Sequence, residues 1–244
     1  MIEPSHDRPS DDVHPDAAGA YPPAPWHLRG HALISAWRVP LVDLPRQRAP
    51  GDARVVTLGR HAICATVWTA YEPGGTLAYN ELLFATAVRH AGLLAPACTV
   101  GPIWVDDDAA AAGGRELWGI PKRMGRFEPL RAEGASGVPG VPGEFGASGN
   151  VGTGTAACRT DDGQFVASLQ FHPGLRVAVP LRLAVWTVQD GHAGPLRTRC
   201  TVRGRARFGS ARWRVAEDGP LGFLAARQPL ASVWLQDMSV SFGV

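Results

Sequence analysis

Residues 114–127 read GRELWGIPKRMGRF, and Lys122 in their middle is the only lysine of the 244-residue chain. Every other member of the 24 Lys and Arg residues is arginine. Heavy use of Ala, Gly, Pro and Arg explains a scarcity of lysine as compositional bias. It does not explain where the surviving lysine stands. Just upstream, Asp106, Asp107 and Asp108 precede Ala109–Ala112. Carboxylates there cap free backbone N–H groups and face the positive end of a helix dipole, so a helix starts here. Three consecutive side chains point in different directions, which argues for capping rather than for a metal site. Gly113 and Gly114 weaken the helix, and the expectation is a short one. Pro121 stops helix continuation and pushes Ile120 toward extended geometry, so Lys122 falls on a loop or strand start just after the helix.

Working outward, the flanks read as strands. In PPAPWHLRGHALISAWRVP (residues 22–40), Trp26, Leu28, Ala32, Ile34 and Ala36 alternate with more polar positions, which is the strand period. ARVVTLGRHAICATVWTAYEP (53–73) gives one or two more strands, ended by Pro73-Gly74-Gly75. TLAYNELLFATAVRH (76–90) follows that turn signal and precedes another apolar run, GLLAPACTVGPIWV (92–105), so it is assigned as strand although its length permits a helix. In the second half, Asp162-Gly163 and Asp190-Gly191 mark turns between further strands. Many short strands and little helix predict a mainly β (α+β) chain, built as an antiparallel barrel or sandwich with a few short helices. Residues 1–20, rich in Asp, Pro, Ser and His, are expected to form a disordered tail, and the Gly/Pro-rich stretch at about 134–154 a flexible loop. The remainder, 21–244, is expected to be a single domain.

Composition excludes several functions. A net charge of +2 is too small to argue for nucleic acid or an anionic membrane surface. Arg197, Arg199, Arg203, Arg205 and Arg207 lie at period two, which reads as one solvated strand face or a subunit contact. No run approaches a membrane span, and the acidic N-terminus has no apolar signal region. Cys64, Cys98, Cys158 and Cys200 form no CxxC and read as buried thiols, consistent with a reduced, cytoplasmic protein. The eight His residues make no HxH or HExxH pair, so no metal site is expected. GTGTAA (152–157) imitates a dinucleotide loop, but no helix clearly follows it.

Lys122 has a specific chemical use. A neutral lysine amine attacks a ketone to form an imine, whose protonated form draws electrons from an adjacent C–C bond. A solvated lysine is almost fully protonated at neutral pH. An apolar wall and a permanent neighbouring cation favour the neutral amine. Leu117, Trp118, Ile120 and Pro121 offer the wall; Arg123, with Arg115 and Arg126 nearby, offers the cation.

The segment GRELWGIPKR resembles the active-site segment of the acetoacetate decarboxylase family, in which Gly-Arg-Glu-Leu, three variable residues and Pro-Lys-Lys recur. Gly114, Arg115, Glu116, Leu117, Pro121 and Lys122 match. YNELLFA (79–85) resembles the family segment that carries an active-site glutamate, and PPAPWHLRGHALISAWRVP and RQPLASVWLQDMSVSF (227–242) resemble its first and last strands. The resemblance implies a cone-shaped central antiparallel β-barrel with surrounding sheet, assembled into a homo-oligomer. It implies Lys122 as the Schiff-base lysine, Arg123 in the place of the second lysine, and Glu81 as the carboxylate that assists proton transfer. Arg115, Glu116 and Trp118 would position the loop or line the pocket, and His31 would face the interior as an acid or base. The substrate implied is a small β-keto or oxo acid, and no cofactor is needed because the imine is itself the electron sink. The family's first-strand arginine would fall at Gly30 or His31, and its second glutamate near Thr66, where this sequence has neither. Decarboxylation therefore stands beside a Schiff-base aldolase or dehydratase reaction and a non-catalytic binding role.

Overall fold

Alternation of buried and exposed positions sets the strands of this chain, and the computed structural model describes residues 20–45, 49–133, 153–191 and 193–244. The predicted tail and most of the predicted 134–154 loop lie outside the described residues, as does His192. The elements in chain order are β1 (Trp26–Pro40), β2 (Arg54–Val55), β3 (Thr57–Leu58), β4 (His61–Tyr71), β5 (Asn80–Arg89), β6 (Ala97–Val105), α1 (Asp108–Trp118), β7 (Lys122–Glu133), β8 (Thr153–Thr160), β9 (Phe165–Arg176), β10 (Leu181–Gln189), β11 (Leu196–Val215), a 3-10 turn at Gly222–Leu224, and β12 (Ala231–Phe242). The strand assignment of 76–90 holds for β5, and GTGTAA is not a phosphate loop, because Thr153–Ala157 form the start of β8.

The strands form one twelve-stranded sheet running β10-β6-β7-β8-β9-β11-β12-β1-β4-β5-β2, with β3 on β4 and further pairings β6–β5 and β10–β11. Those two pairings close the sheet around two interiors that share β11, β12, β1, β4, β5 and β6. One interior holds Leu33, Trp37, Trp68, Leu82, Phe84, Trp104, Leu169, Phe171 and Trp234. The other holds Trp26, Leu28, Ala32, Tyr79, Val100, Ile103, Val105, Trp118, Met238 and Val240. Strand parity sorts the residues between them: on β1 the even positions 26, 28 and 32 go to the second core, the odd positions 33, 37 and 39 to the first.

The sheet is mainly antiparallel, as expected, but mixed: β7 and β10 both run parallel to β6. The reason for the first is α1. A helix between β6 and β7 returns the chain to the starting edge, the connection a parallel pair requires. The same crossover sets Lys122 beside Ile103.

The helix is also longer than expected. Asp107 caps it by accepting from the Ala110 N–H, and it runs eleven residues through both glycines to Trp118. Their lack of a side chain is what the packing uses. A Cβ on Gly113 would lie 2.5 Å from the Trp26 ring, and one on Gly114 would lie 2.5 Å from Cδ of Lys122. The helix ends at Gly119, which takes the left-handed conformation (φ 63°) that glycine adopts without steric cost. The Gly119 and Ile120 N–H groups then bond to the Arg115 and Gly114 carbonyls, turning the chain sharply into β7.

Candidate active site

Lys122 opens β7, where the turn from α1 and the parallel pairing with β6 aim it into the second core. Its side chain is only 4% exposed. The stem passes over Gly114, and Nζ reaches Glu81 on β5 and Tyr79 one residue before it. Glu81 Oε2 lies 2.8 Å away, with the carboxylate side chain 7% exposed. The Tyr79 hydroxyl accepts a hydrogen bond from Nζ at 3.1 Å. Tyr79 precedes β5 by one residue, in chain whose backbone pairs with Tyr71, and it and Glu81, two apart, both turn to Nζ, while Leu82 and Phe84 face the other core. Burying an ammonium and a carboxylate is unfavourable singly and tolerable together, which ties each of these groups to the other.

Aromatic rings enclose the pair. Nζ lies 4.8 Å from the Tyr79 ring centroid and 5.9 Å from that of Trp26. Trp118 stands edge-on to Trp26 at 4.6 Å and to Phe242 at 4.6 Å, backing the wall without touching Nζ itself. Tyr79 is held by Tyr71: their backbones exchange both hydrogen bonds and their rings lie 4.8 Å apart. Burial and the nearby Glu81 charge push both phenols well above their ordinary range, so both hydroxyls keep their protons.

Asp106 fixes the start of β5. Its carboxylate accepts from the Asn80 backbone N–H at 2.6 Å and from the Asn80 side-chain amide at 2.7 Å. Asn80 lies between the two residues that meet Nζ. The acidic run therefore divides its work: Asp107 caps α1 and Asp106 clamps β5.

The other expected site residues fall elsewhere. Arg123 alternates onto the face of β7 opposite Lys122 and is exposed. Arg115 is exposed too, but its Nη1 donates to the Lys122 carbonyl at 2.8 Å, holding the backbone of the lysine. Glu116 is exposed on α1. His31 does not face the lysine. It shares the parity of Leu33 and Trp37, lies 3.3 Å from Glu72 and meets the Trp234 ring at 6.3 Å. Thr66 also belongs to the first core, where its hydroxyl accepts from Trp37 Nε1 at 2.9 Å. Trp26, not Gly30 or His31, is the β1 side chain turned toward Nζ. Sequence reading missed Tyr79 and Trp26. The signal for Tyr79 was present, since a residue two before Glu81 in extended chain shares its side.

Comparison with known proteins bears on this arrangement. The family model for acetoacetate decarboxylase matches residues 49–193, more than half of the chain and a span that includes Tyr79, Glu81 and Lys122. The chain belongs to the acetoacetate decarboxylase family. No curated protein matches it. Among solved structures, the enduracididine biosynthesis enzyme MppR complexed with pyruvate is similar at a TM-score of 0.63 and 17% identity, covering 91% of this chain and 90% of that one. An acetoacetate decarboxylase from Legionella pneumophila gives 0.58 and 16%, covering 91% and 86%. An acetoacetate decarboxylase-like enzyme from Sphingomonas wittichii RW1 gives 0.60 and 16%, covering 91% of each chain. At these identities the likeness is one of fold, and it extends over nearly the whole of this family member.

Proposed function

We propose that this acetoacetate decarboxylase-family chain is a carbon–carbon lyase acting on a small β-keto or oxo acid through a Schiff base on Lys122. The observation that carries the reading is the burial of the only lysine with Nζ 2.8 Å from the Glu81 carboxylate. Glu81 takes a proton from Nζ and frees its lone pair. The amine attacks the ketone, and loss of water leaves an iminium. The electrons of the C–C bond to the leaving carboxylate move into the iminium, giving an enamine and carbon dioxide. Protonation of the enamine carbon and hydrolysis release the ketone and restore the amine. Arg115 acts here as a positioning residue through the Lys122 carbonyl. The places of Glu81 and Arg123 support giving proton transfer to Glu81. A keto-acid substrate is further supported by the pyruvate complex of MppR, and oligomer formation by Leu181 and Leu183, which are 39% and 41% exposed on β10.

Trapping tests the imine. Incubation with acetoacetate or pyruvate and borohydride should add mass to the peptide that holds Lys122, with the N-terminal amine blocked. No adduct with a panel of keto acids would leave only a binding role.

One observation favours the related aldol or dehydration reaction: the β1 side chain facing Nζ is the Trp26 ring, which offers a substrate carboxylate no charge. Carbon dioxide release from acetoacetate separates the two. Adduct without release at any pH selects the aldol-type reaction.

A further inference from the structure

The mechanism above uses Lys122 and Glu81 and leaves one reactive group at Nζ without a task. The Tyr79 hydroxyl lies 3.1 Å from Nζ, accepts its hydrogen bond, and retains a proton of its own to give. Glu81, two residues on at the start of β5, faces the same point. Imine formation has a proton problem that this geometry answers. Attack of the neutral amine on a ketone gives a zwitterion with two hydrogens on a cationic nitrogen and an alkoxide one carbon away. A proton must leave the nitrogen and reach the oxygen. The two atoms share one carbon, so direct transfer passes through a strained four-membered ring. A hydroxyl beside both closes a ring that strains neither bond.

We infer that Tyr79 is a catalytic proton shuttle of imine formation: its hydroxyl passes a proton to the carbinolamine oxygen while taking one from Nζ. The inference rests on the Schiff-base reading of Lys122. The balance closes. The lysine begins with three hydrogens on nitrogen and Glu81 begins ionised. Glu81 takes one hydrogen before attack. Tyr79 moves a second from nitrogen to the alkoxide and ends as it began, a neutral phenol. The protonated Glu81 then gives its hydrogen to the carbinolamine hydroxyl, the C–O bond breaks, and the nitrogen lone pair forms C=N. One hydrogen remains on the iminium nitrogen, two leave in water, and Glu81 is again a carboxylate. Hydrolysis runs the same path in reverse.

A phenol that never ionises suits this task. Burial and Glu81 hold the Tyr79 proton on, so the residue serves as a two-way relay and not as a base. The Tyr71 backbone and ring, which Tyr71→Phe keeps, supply rigidity. The paired backbones and the ring contact at 4.8 Å fix the hydroxyl where Nζ meets it.

The experiment is a time course of pyruvate trapping with cyanoborohydride, read as adduct mass on Lys122, for wild type, Tyr79→Phe, Tyr71→Phe and Lys122→Met. Tyr79→Phe removes one oxygen and leaves the ring, and circular dichroism reports its fold. Tyr79→Phe should form the same adduct about 100-fold more slowly, the scale of positioned acid–base catalysis, with an unchanged half-saturating pyruvate concentration. Tyr71→Phe should trap at nearly the wild-type rate. Tyr79→Phe trapping within threefold of wild type overturns the shuttle and leaves the Schiff base standing. Equal slowing in Tyr71→Phe also overturns it, since packing of the tyrosine pair would then be the cause. A wild type that forms no adduct, like Lys122→Met, removes the Schiff base and the shuttle together.

Discussion

Lys122 and Glu81 hold each other in a place where neither is comfortable singly. Removing one partner leaves an uncompensated buried charge, at a cost of about 3–5 kcal/mol. Lys122→Met should therefore lower the urea midpoint as well as abolish trapping. The double variant Lys122→Met/Glu81→Gln, which leaves no charge behind, should recover much of that loss; additive losses would show that the ion pair is not the cause. At this scale the sequence was partly legible. Lys122 stood out because the chain has no other lysine and places this one after an apolar, proline-ended run. Glu81 was found by resemblance. Arg123 was misjudged for a physical reason: proximity in sequence on a strand puts neighbours on opposite faces, and only position 124 or 120 could share a side with 122.

Between residues and fold, α1 carries the most. Its two glycines read from sequence as breakers, yet they are where the Trp26 ring and the Lys122 stem pack. A methyl at position 114 must displace a lysine stem already pinned at its far end by Glu81 and Tyr79. Gly114→Ala should raise intrinsic helix propensity yet destabilise the protein, by about 1–3 kcal/mol, and slow trapping. A stabilised variant with full trapping would mean the stem has room to move aside. The β5 start offers a second check. Asp106→Ala leaves the exposed start of β5 without its two hydrogen bonds and should cost about 1 kcal/mol, measured by urea titration. Strand positions were legible from period two. The parallel pairing of β6 with β7 was not, because crossover geometry is a property of three elements together.

For the molecule as a whole, the middle of β1 and most of β5 and β6 are buried on both faces, and burial shapes its titration behaviour. Burial lowers the His31 pKa below 6.5 despite the nearby Glu72. The unfolded chain then binds more protons than the native one as pH falls below 6.5, so stability declines there and is full above it. His31→Phe should flatten the fall in Tm between pH 7 and 5; an unchanged slope would place the cause in other groups. Burial also pushes the thiols up, Cys64 to about 11 and Cys98, Cys158 and Cys200 to about 12. All four should react with Ellman's reagent at pH 8 only after unfolding. Among the described residues, no helix is long and apolar enough to cross a membrane.

The sequence by itself determined the β character, the helix start, the single lysine and the family segment around it, since these depend on local period, capping and residue type. Tertiary structure alone decided what surrounds that lysine. Strand parity sent His31, Thr66 and Arg123 away from Nζ, and closure of the sheet brought Trp26 and Tyr79 to it. A side chain's chemistry is written in its residue type, but its partners are set by which face and which neighbouring strand the completed sheet assigns to it.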